Sequence, residues 1–226
     1  MSKLIYLSFH NKMFDKIIKS KRLEMLKIIL KELKNFKIKT SLDVGTSLDK
    51  SNESTNFLIK NLNICSRYKS ISDQKIEDNF FELIITKSIT EILDSQIINS
   101  CKSDLVISSA TIEHVGSRQN QLEMIKNIGL LTNKMFVFTT PNKFYPIDFH
   151  TKLPFFHFLP DKIYRKILFL LNFKFYSKEK NLNLLSKKDI LELINLSGIN
   201  KEFHVYIKHV KLFFIKSNFI IFGIKK

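Results

Sequence analysis

Short apolar runs alternate with longer segments of helical periodicity along most of this chain. Residues 105–107 and 135–138 are apolar runs of the kind that form strands buried on both faces of a parallel sheet. Between them, apolar residues recur at helical spacing over 121–131, and Ser117 stands where an N-cap is expected. This pattern predicts a βαβ unit with a right-handed crossover.

The same pattern predicts further elements on both sides of this unit. Residues 11–36 are expected to form an amphipathic helix or helix pair over the sheet, with a membrane-surface helix as the alternative. The other predicted elements are a strand ending at Asp43-Val44, strands at 64–71, 80–86, 201–208 and 219–224, a helix at 54–62, a helix N-capped by Asp161 and running through Leu171, and a helix that begins at a Ser186–Asp189 capping box, runs to Ser197 and stops at Gly198. The short connection between the last two strands predicts antiparallel pairing.

Composition favours one globular domain. A chain of 226 residues, 44% hydrophobic and 26% charged, is long enough for a single α/β domain over 1–226 and short for two. The net charge of +16 is compatible with a nucleic acid or an anionic membrane as partner. However, only 4 of the 37 basic residues are arginine, and the charge is spread along the whole chain. Composition bias is therefore the favoured explanation, and nucleic acid is not the expected partner.

The compartment follows from what the sequence lacks. Cys65 and Cys101 lie far apart without metal-ligand spacing, the N-terminus is unlike a signal peptide, and no apolar run approaches the roughly 20 residues of a membrane span. We expect a cytoplasmic protein, with peripheral membrane contact as an alternative.

Candidate chemistry lies where the predicted strands end. In open parallel sheets, ligands bind outside the carboxyl ends of the strands. The first strand ends at Asp43, and Gly45 permits a tight turn and close approach of a ligand to the backbone. The later strands deliver residues 108–114 and 140–142 to the same edge, and Pro141 is expected to end the fifth strand because it cannot extend the sheet.

These stretches resemble the class I S-adenosylmethionine-dependent methyltransferases, from about Leu42 to the C-terminus. The resemblance implies a Rossmann-like α/β fold with a seven-stranded, mostly parallel sheet, helices on both faces and an antiparallel last strand. It also implies that Asp43, Gly45, Thr46 and Ser47 hold the methionine part of the cofactor. The family's second and third glycines are replaced here by Ser47 and Asp49.

The rest of the cofactor site is expected after the next strands. The resemblance implies that Asp73, with Glu77 as the fallback, accepts the ribose hydroxyls, and that Ser88 and Ile89 lie at the adenine. Ile89 is alternatively a core residue. Ser108, at the end of the fourth strand, completes the expected cofactor-binding set.

Glu113, His114 and Val115 resemble the Glu-His-Val of the small-molecule branch of this family, which includes quinone O-methyltransferases. The resemblance makes Glu113 and His114 the catalytic candidates. An imidazole can take a proton from a hydroxyl that is being methylated, and a neighbouring carboxylate can orient the ring. Equally, His114 caps the following turn or shields the cofactor while orientation alone drives the reaction.

The segment 143–178, hereafter the insertion, is aromatic and basic. Its position after the fifth strand predicts either a lid over the acceptor or a local mini-core. Asn142, Tyr145, His150 and His157 are the expected acceptor contacts. A zinc site from His114, His150 and His157 matches no dedicated metal motif, so no metal site is predicted.

The resulting hypothesis is methyl transfer from S-adenosylmethionine to a small-molecule or lipid-like acceptor. Two alternatives remain open, an RNA methyltransferase and a non-catalytic binding protein on the same fold. The acceptor atom and the oligomeric state are not predicted.

Overall fold

A seven-stranded β-sheet forms the centre of the protein in the computed structural model, which describes residues 12–48 and 55–226. The strands are β1 (Thr40–Val44), β2 (Arg67–Ser72), β3 (Leu83–Thr86), β4 (Ser103–Ser109), β5 (Thr132–Pro141), β6 (Phe203–Leu212) and β7 (Ile215–Lys225). They lie in the order β3-β2-β1-β4-β5-β7-β6. This sheet confirms the predicted fold class.

Six α-helices belong to the described part of the chain. They are α1 (Lys12–Leu33), α2 (Phe57–Asn61), α3 (Ser95–Cys101), α4 (Arg118–Leu131), α5 (Asp161–Leu170) and α6 (Lys187–Ser197). The predicted caps are confirmed: Ser117 accepts a hydrogen bond from the Asn120 backbone, and Ser186 forms a capping box with Asp189. Gly198 ends α6 with φ 71°. Helix α1 is one continuous helix of 22 residues rather than a pair.

Strand order sets a topological switch point at the carboxyl edge of the sheet. Strand β1 pairs in parallel with both β2 and β4. From β1 the chain continues to β2 and β3 on one side of β1, and it then crosses back to β4 on the other side. The carboxyl ends of β1 and β4 therefore form the switch point where α/β sheets bind ligands. Strand β7 pairs antiparallel with β5 and β6, as predicted.

Helices cover both faces of the sheet, and each face has its own apolar core. Alternate residues of β4 serve the two sides: Val106 packs with the α4 and α6 side, whereas Leu105 and Ile107 pack with α1 and α2. On the α1 side, Ile29 is fully buried. Both faces of the central sheet are therefore shielded from water, which explains why the sequences of the central strands are continuous apolar runs.

Three predicted details are wrong. Pro141 was expected to end the fifth strand, yet β5 continues through it to pair with Asn218. The proline is tolerated because the pairing of β4 with β5 stops at Ser109 and Thr139, so no strand on that side needs its missing N–H. Asp161 does not cap α5, because Pro160 occupies the cap position without a side-chain bond. The second and third strands begin three residues later than predicted, at Arg67 and Leu83.

The insertion folds around a buried acid. Asp148 is 3% exposed and accepts hydrogen bonds from the Tyr164 hydroxyl (2.9 Å) and the Thr151 hydroxyl (2.6 Å). Tyr145 stacks on Phe149 with ring centroids 5.1 Å apart. Outside this small core, large apolar side chains of the insertion remain exposed: Phe144, Phe155, Phe158, Ile163, Phe169 and Leu170. No helix in the described part of the chain has the length and apolar character that membrane crossing requires.

Candidate functional site

A chain of hydroxyl groups fixes the carboxylate at the end of β1. The Ser70 hydroxyl donates to the Thr46 hydroxyl (2.7 Å), which in turn donates to Asp43 Oδ2 (2.6 Å). Burial raises the pKa of Asp43 to about 7, although the Thr46 hydrogen bond and the charge of Lys60 oppose the shift. The carboxyl is therefore poised to ionise when a positive charge comes near it.

Gly45 makes the turn after β1, with φ 84°. A Cβ at this position would lie 2.3 Å from Cγ2 and 2.5 Å from Oγ1 of Thr111. Two hydroxyls hold the preceding carbonyl of Val44, those of Ser108 (2.9 Å) and Thr111 (3.3 Å). Only glycine fits here, because the loop that follows β4 closes directly over the turn.

Side-chain hydrogen bonds stabilise the part of the loop that lacks the family's later glycines. Asn56 accepts from the Ser47 amide (3.0 Å) and donates to the Ser47 carbonyl (2.9 Å). Gln74 accepts from the Leu48 amide (2.9 Å). Neither Asn56 nor Gln74 was predicted, since isolated amide side chains give no sign of their partners. Asp49 lies outside the described residues.

The other predicted cofactor residues lie after β2 and β3. Asp73 is exposed directly after β2. The hydroxyls of Ser88 and Thr90 lie 2.9 Å apart in the loop after β3. Ile89 is 6% exposed and packs into the core, and its carbonyl accepts from buried Asn127 (2.7 Å). Their contacts with a cofactor stay predictions.

Glu113 is the most deeply buried charged group of the site. It lies on the short 3-10 turn Ile112–His114 after β4 and has no exposed surface. Thr140 donates its hydroxyl hydrogen to Oε2 (3.0 Å), whereas Oε1 has no hydrogen-bond partner. Burial raises the pKa of Glu113, and the charges of His150 and Arg22 and the Thr140 bond moderate the rise.

His114 is held by the segment that follows the insertion. Its Nδ1 lies 2.7 Å from the Asn181 carbonyl, which only accepts, so Nδ1 carries the hydrogen and Nε2 keeps a lone pair. Burial, reinforced by the charge of His150, lowers the pKa of His114 to about 4. The ring is therefore neutral near pH 7.

His150 comes from the insertion and meets the 3-10 turn. Its Nδ1 lies 3.0 Å from Asp148 Oδ1, and its Nε2 lies 3.9 Å from Glu113 Oε1. The rings of His150 and His114 are 4.9 Å apart, edge to face. Burial alone would lower the pKa of His150, but the hydrogen bond and charge of Asp148, together with Glu113, raise it.

Arg22 extends toward this cluster from α1. It is partly buried, forms no hydrogen bond or ion pair with the described residues, and is attracted to Glu113 by charge. Burial lowers the pKa of Arg22. The periodicity of α1 predicted its apolar face but not this cation, because a single arginine on a lysine-rich helix looks like part of a solvated surface.

The four predicted acceptor contacts lie in three different places. His150 joins Glu113 and His114. Asn142 is bonded at both ends of its amide, to the Lys216 carbonyl (2.8 Å) and the Phe144 amide (3.0 Å). Tyr145 and His157 belong to the small core of the insertion, where His157 Nε2 lies 2.7 Å from the Tyr145 carbonyl.

Structural comparison gives the clearest relationship of this chain to known proteins. No family model and no curated protein matches the sequence. The small RNA methyltransferase HEN1 has a TM-score of 0.57 at 14% identity over 90% of this chain, which spans only 25% of the HEN1 chain. Magnesium protoporphyrin IX methyltransferase from Synechocystis PCC 6803, solved with bound S-adenosylmethionine, has a TM-score of 0.52 at 11% identity over 99% of this chain and 88% of its own. The CurJ carbon methyltransferase gives 0.55 at 12% identity over 92% of this chain and 54% of its own.

These likenesses establish the fold. The chain has the sheet and connections of S-adenosylmethionine-dependent methyltransferases. The acceptors named for the three proteins are of different kinds, so the fold leaves the acceptor open.

Proposed function

We propose that this protein transfers a methyl group from S-adenosylmethionine to an acceptor held beneath the insertion. The observation that carries the proposal is the glycine turn Gly45 beside the buried carboxylate Asp43, at the switch point of a sheet with methyltransferase topology.

The residues of the turn fit this cofactor. The amino acid part of S-adenosylmethionine carries an ammonium group. Asp43 is a buried carboxyl with a pKa of about 7, so a cation beside it favours its ionised form and the resulting ion pair strengthens binding. Gly45, with φ 84°, lets the chain turn sharply after β1, so the loop that follows lies along the edge where the cofactor is proposed to bind. Asp73, after β2, is the proposed partner of the ribose hydroxyls, and Ser88 and Ile89 are the proposed neighbours of the adenine.

Bound S-adenosylmethionine would supply a methyl group activated by its positive sulfonium. The protein's part is to hold an acceptor atom in line with that methyl, which lowers the barrier by orientation. We assign the acceptor side to Glu113 and His114, because they follow Thr111, which packs against the Gly45 turn, and because Glu113 Oε1 has no hydrogen-bond partner and His114 Nε2 keeps a lone pair.

The surface of the insertion supports a lipid-like acceptor. Phe155, Phe158 and Phe169 are 59%, 40% and 58% exposed. Lysines at 152, 162, 166 and 174 share the same segment. Exposed aromatic rings together with lysines are typical of proteins that bind at an anionic membrane surface.

The cofactor assignment is tested by calorimetric titration with S-adenosylmethionine and S-adenosylhomocysteine. Gly45→Ala should weaken binding at least tenfold, because the added Cβ must displace Thr111 or open the turn. Gly198→Ala is the matched control: Gly198 also has positive φ, but a Cβ added there would meet nothing within 4 Å. Equal affinities of the two variants, or no binding by the folded wild type, would contradict the proposal.

The acceptor is tested with S-adenosylmethionine labelled in its methyl group, offered with lipid vesicles, total RNA or a polar metabolite extract. Label in the lipid fraction is expected. Label in RNA would refute a lipid-like acceptor while retaining methyl transfer. Binding of the cofactor without any transfer would favour a non-catalytic protein on this fold.

A further inference from the structure

Glu113, His114 and His150 each offer one ligand atom to a cluster that lies after β4. These atoms are one carboxylate oxygen and two imidazole nitrogens, and all three lie within 4.8 Å of one another. We propose that these residues bind a divalent first-row transition-metal ion and that this ion holds the oxygen atom of the methyl acceptor. The ion's role in catalysis rests on the proposed function, whereas the ion site itself does not.

Each ligand is oriented by a partner on its other atom. His114 Nδ1 is fixed by the Asn181 carbonyl (2.7 Å), and His150 Nδ1 by the Asp148 carboxylate (3.0 Å). Glu113 Oε2 is fixed by the Thr140 hydroxyl (3.0 Å). Metal-binding histidines use one nitrogen in this way, since the second bond fixes the tautomer and the direction of the ligand nitrogen.

The free oxygen of Glu113 is the second, independent observation. Glu113 is 0% exposed and its Oε1 has no hydrogen-bond partner. A buried oxygen without a partner costs about 1–3 kcal/mol, and more when it is charged. His150 Nε2 is 3.9 Å from this oxygen, which is too far for a hydrogen bond. A metal ion between them, bound by the neutral form of His150, would satisfy both atoms.

The geometry and donor set select the class of ion. Ligands at about 2.0–2.2 Å from zinc stand roughly 3.4 Å apart in a tetrahedral site, so the three atoms, which lie within 4.8 Å of one another, need to approach by up to about 1.4 Å on binding. Two imidazoles and one carboxylate suit Zn²⁺, Fe²⁺ or Co²⁺ better than Mg²⁺ or Ca²⁺, which prefer all-oxygen sites. Three protein ligands also leave a position open for a further oxygen, as in catalytic rather than structural sites.

The open position fits the proposed reaction. An acceptor hydroxyl bound to the ion is more acidic and loses its proton to water. Its oxygen then forms the new O–C bond while the C–S bond of the cofactor breaks, leaving the electron pair on sulfur. In this scheme Glu113, His114 and His150 act as ligands, and no separate protein base is needed.

Metal binding can be measured without any activity assay. Protein stripped with a chelator is titrated with Zn²⁺, Co²⁺ and Mg²⁺, and the Co²⁺ complex is followed by its visible absorption. One Zn²⁺ or Co²⁺ per chain is expected, with Mg²⁺ at least 100-fold weaker. X-ray absorption at the zinc edge of the wild type should identify two imidazole ligands, and this measurement does not depend on the folding of a variant.

Variants connect the ion to this cluster. Glu113→Gln and His150→Ala should each weaken binding at least 100-fold, whereas His204→Ala, which removes an exposed imidazole on β6, should leave it unchanged. Circular dichroism verifies that each variant is folded. Absence of stoichiometric binding by the wild type, or full binding by folded Glu113→Gln, would overturn the metal site.

Failure of this proposal and failure of the proposed function give different results. Cofactor titration of the same samples reports on Asp43 and Gly45 independently of the ion. Cofactor binding with no metal binding would refute only the metal site. Metal binding without cofactor binding would refute only methyl transfer.

Discussion

Replacing Asp43 with Asn should stabilise the cofactor-free protein at pH 8 while it weakens cofactor binding. Asp43 is 5% exposed, and burial raises its pKa to about 7 from an ordinary value of 3.8. Asparagine has nearly the same shape and can still accept the hydrogen bond that Thr46 donates (2.6 Å). The substitution therefore removes mainly the titrating charge.

The sign and size of the effect follow from linkage. Because the folded-state pKa is raised, the unfolded chain ionises first as pH rises, so wild-type stability falls between pH 3.8 and about 7 and is constant above that range. A difference of about 3 pKa units corresponds to about 4 kcal/mol at 1.36 kcal/mol per unit. At pH 5 the loss is only about 1.5 kcal/mol, so the advantage of Asp43→Asn should grow by about 2–3 kcal/mol between pH 5 and pH 8.

Urea unfolding of both proteins at the two pH values measures this double difference. All other titrating groups are common to both proteins and cancel. Glu179→Gln, which alters an exposed carboxylate, is the control, and its double difference should stay within about 0.5 kcal/mol. An advantage of Asp43→Asn that does not change with pH would refute the raised pKa and with it the poised carboxylate of the cofactor site.

Two further substitutions test the packing that supports the site. Gly223→Ala should lower the free energy of unfolding by about 3 kcal/mol, because its Cβ would lie 2.1 Å from the ring of buried Phe136. In urea unfolding, adding Phe136→Leu to the same chain should recover part of this loss. Asn127→Ala should lower the free energy of unfolding by about 2 kcal/mol and weaken cofactor binding, because the Asn127 amide donates to the carbonyls of Ile89 (2.7 Å) and Glu91 (2.9 Å) in the proposed adenine loop. An unchanged cofactor affinity would show that this loop does not contact the cofactor.

The fold could be predicted from the sequence because its signals are local. Strands that are buried on both faces have continuous apolar sequences, and helix N-caps such as Ser117 and Ser186 are polar residues just before an apolar-periodic segment. The short helix α3 was missed, since only Cys101 of its residues is buried and its sequence lacks an apolar stripe. Pro141 was misjudged for the opposite reason: its tolerance depends on a neighbouring strand that stops earlier, which the local sequence does not contain.

Most of the predicted site residues follow a strand, whereas His150 was predicted from the aromatic and basic insertion. Asp43 and Gly45 were predicted because strand ends converge at one edge of a parallel sheet, and Glu113 and His114 because the Glu-His-Val resemblance falls at the same edge. Arg22 was not identified, because its approach to Glu113 depends on how α1 crosses the sheet. The hydrogen bonds from the side chains of Asn56 and Gln74 to the loop after β1 were not predicted either, since their backbone partners are 9 and 26 residues away in the sequence.

Contacts from the insertion and the segment just after it turn a strand-end motif into a closed cluster. Glu113 and His114 come from the sheet edge, but His150 comes from the insertion and Asn181, which orients His114, from the segment that follows it. Asp148, which orients His150, is also bonded by Tyr164 of α5 (2.9 Å), so the imidazole is fixed only when the insertion has packed. The free energy of docking the insertion is therefore coupled to the geometry of the cluster. A ligand that draws Glu113, His114 and His150 together must therefore stabilise the docked insertion by the same coupling free energy, so occupancy of the cluster and docking of the insertion favour each other.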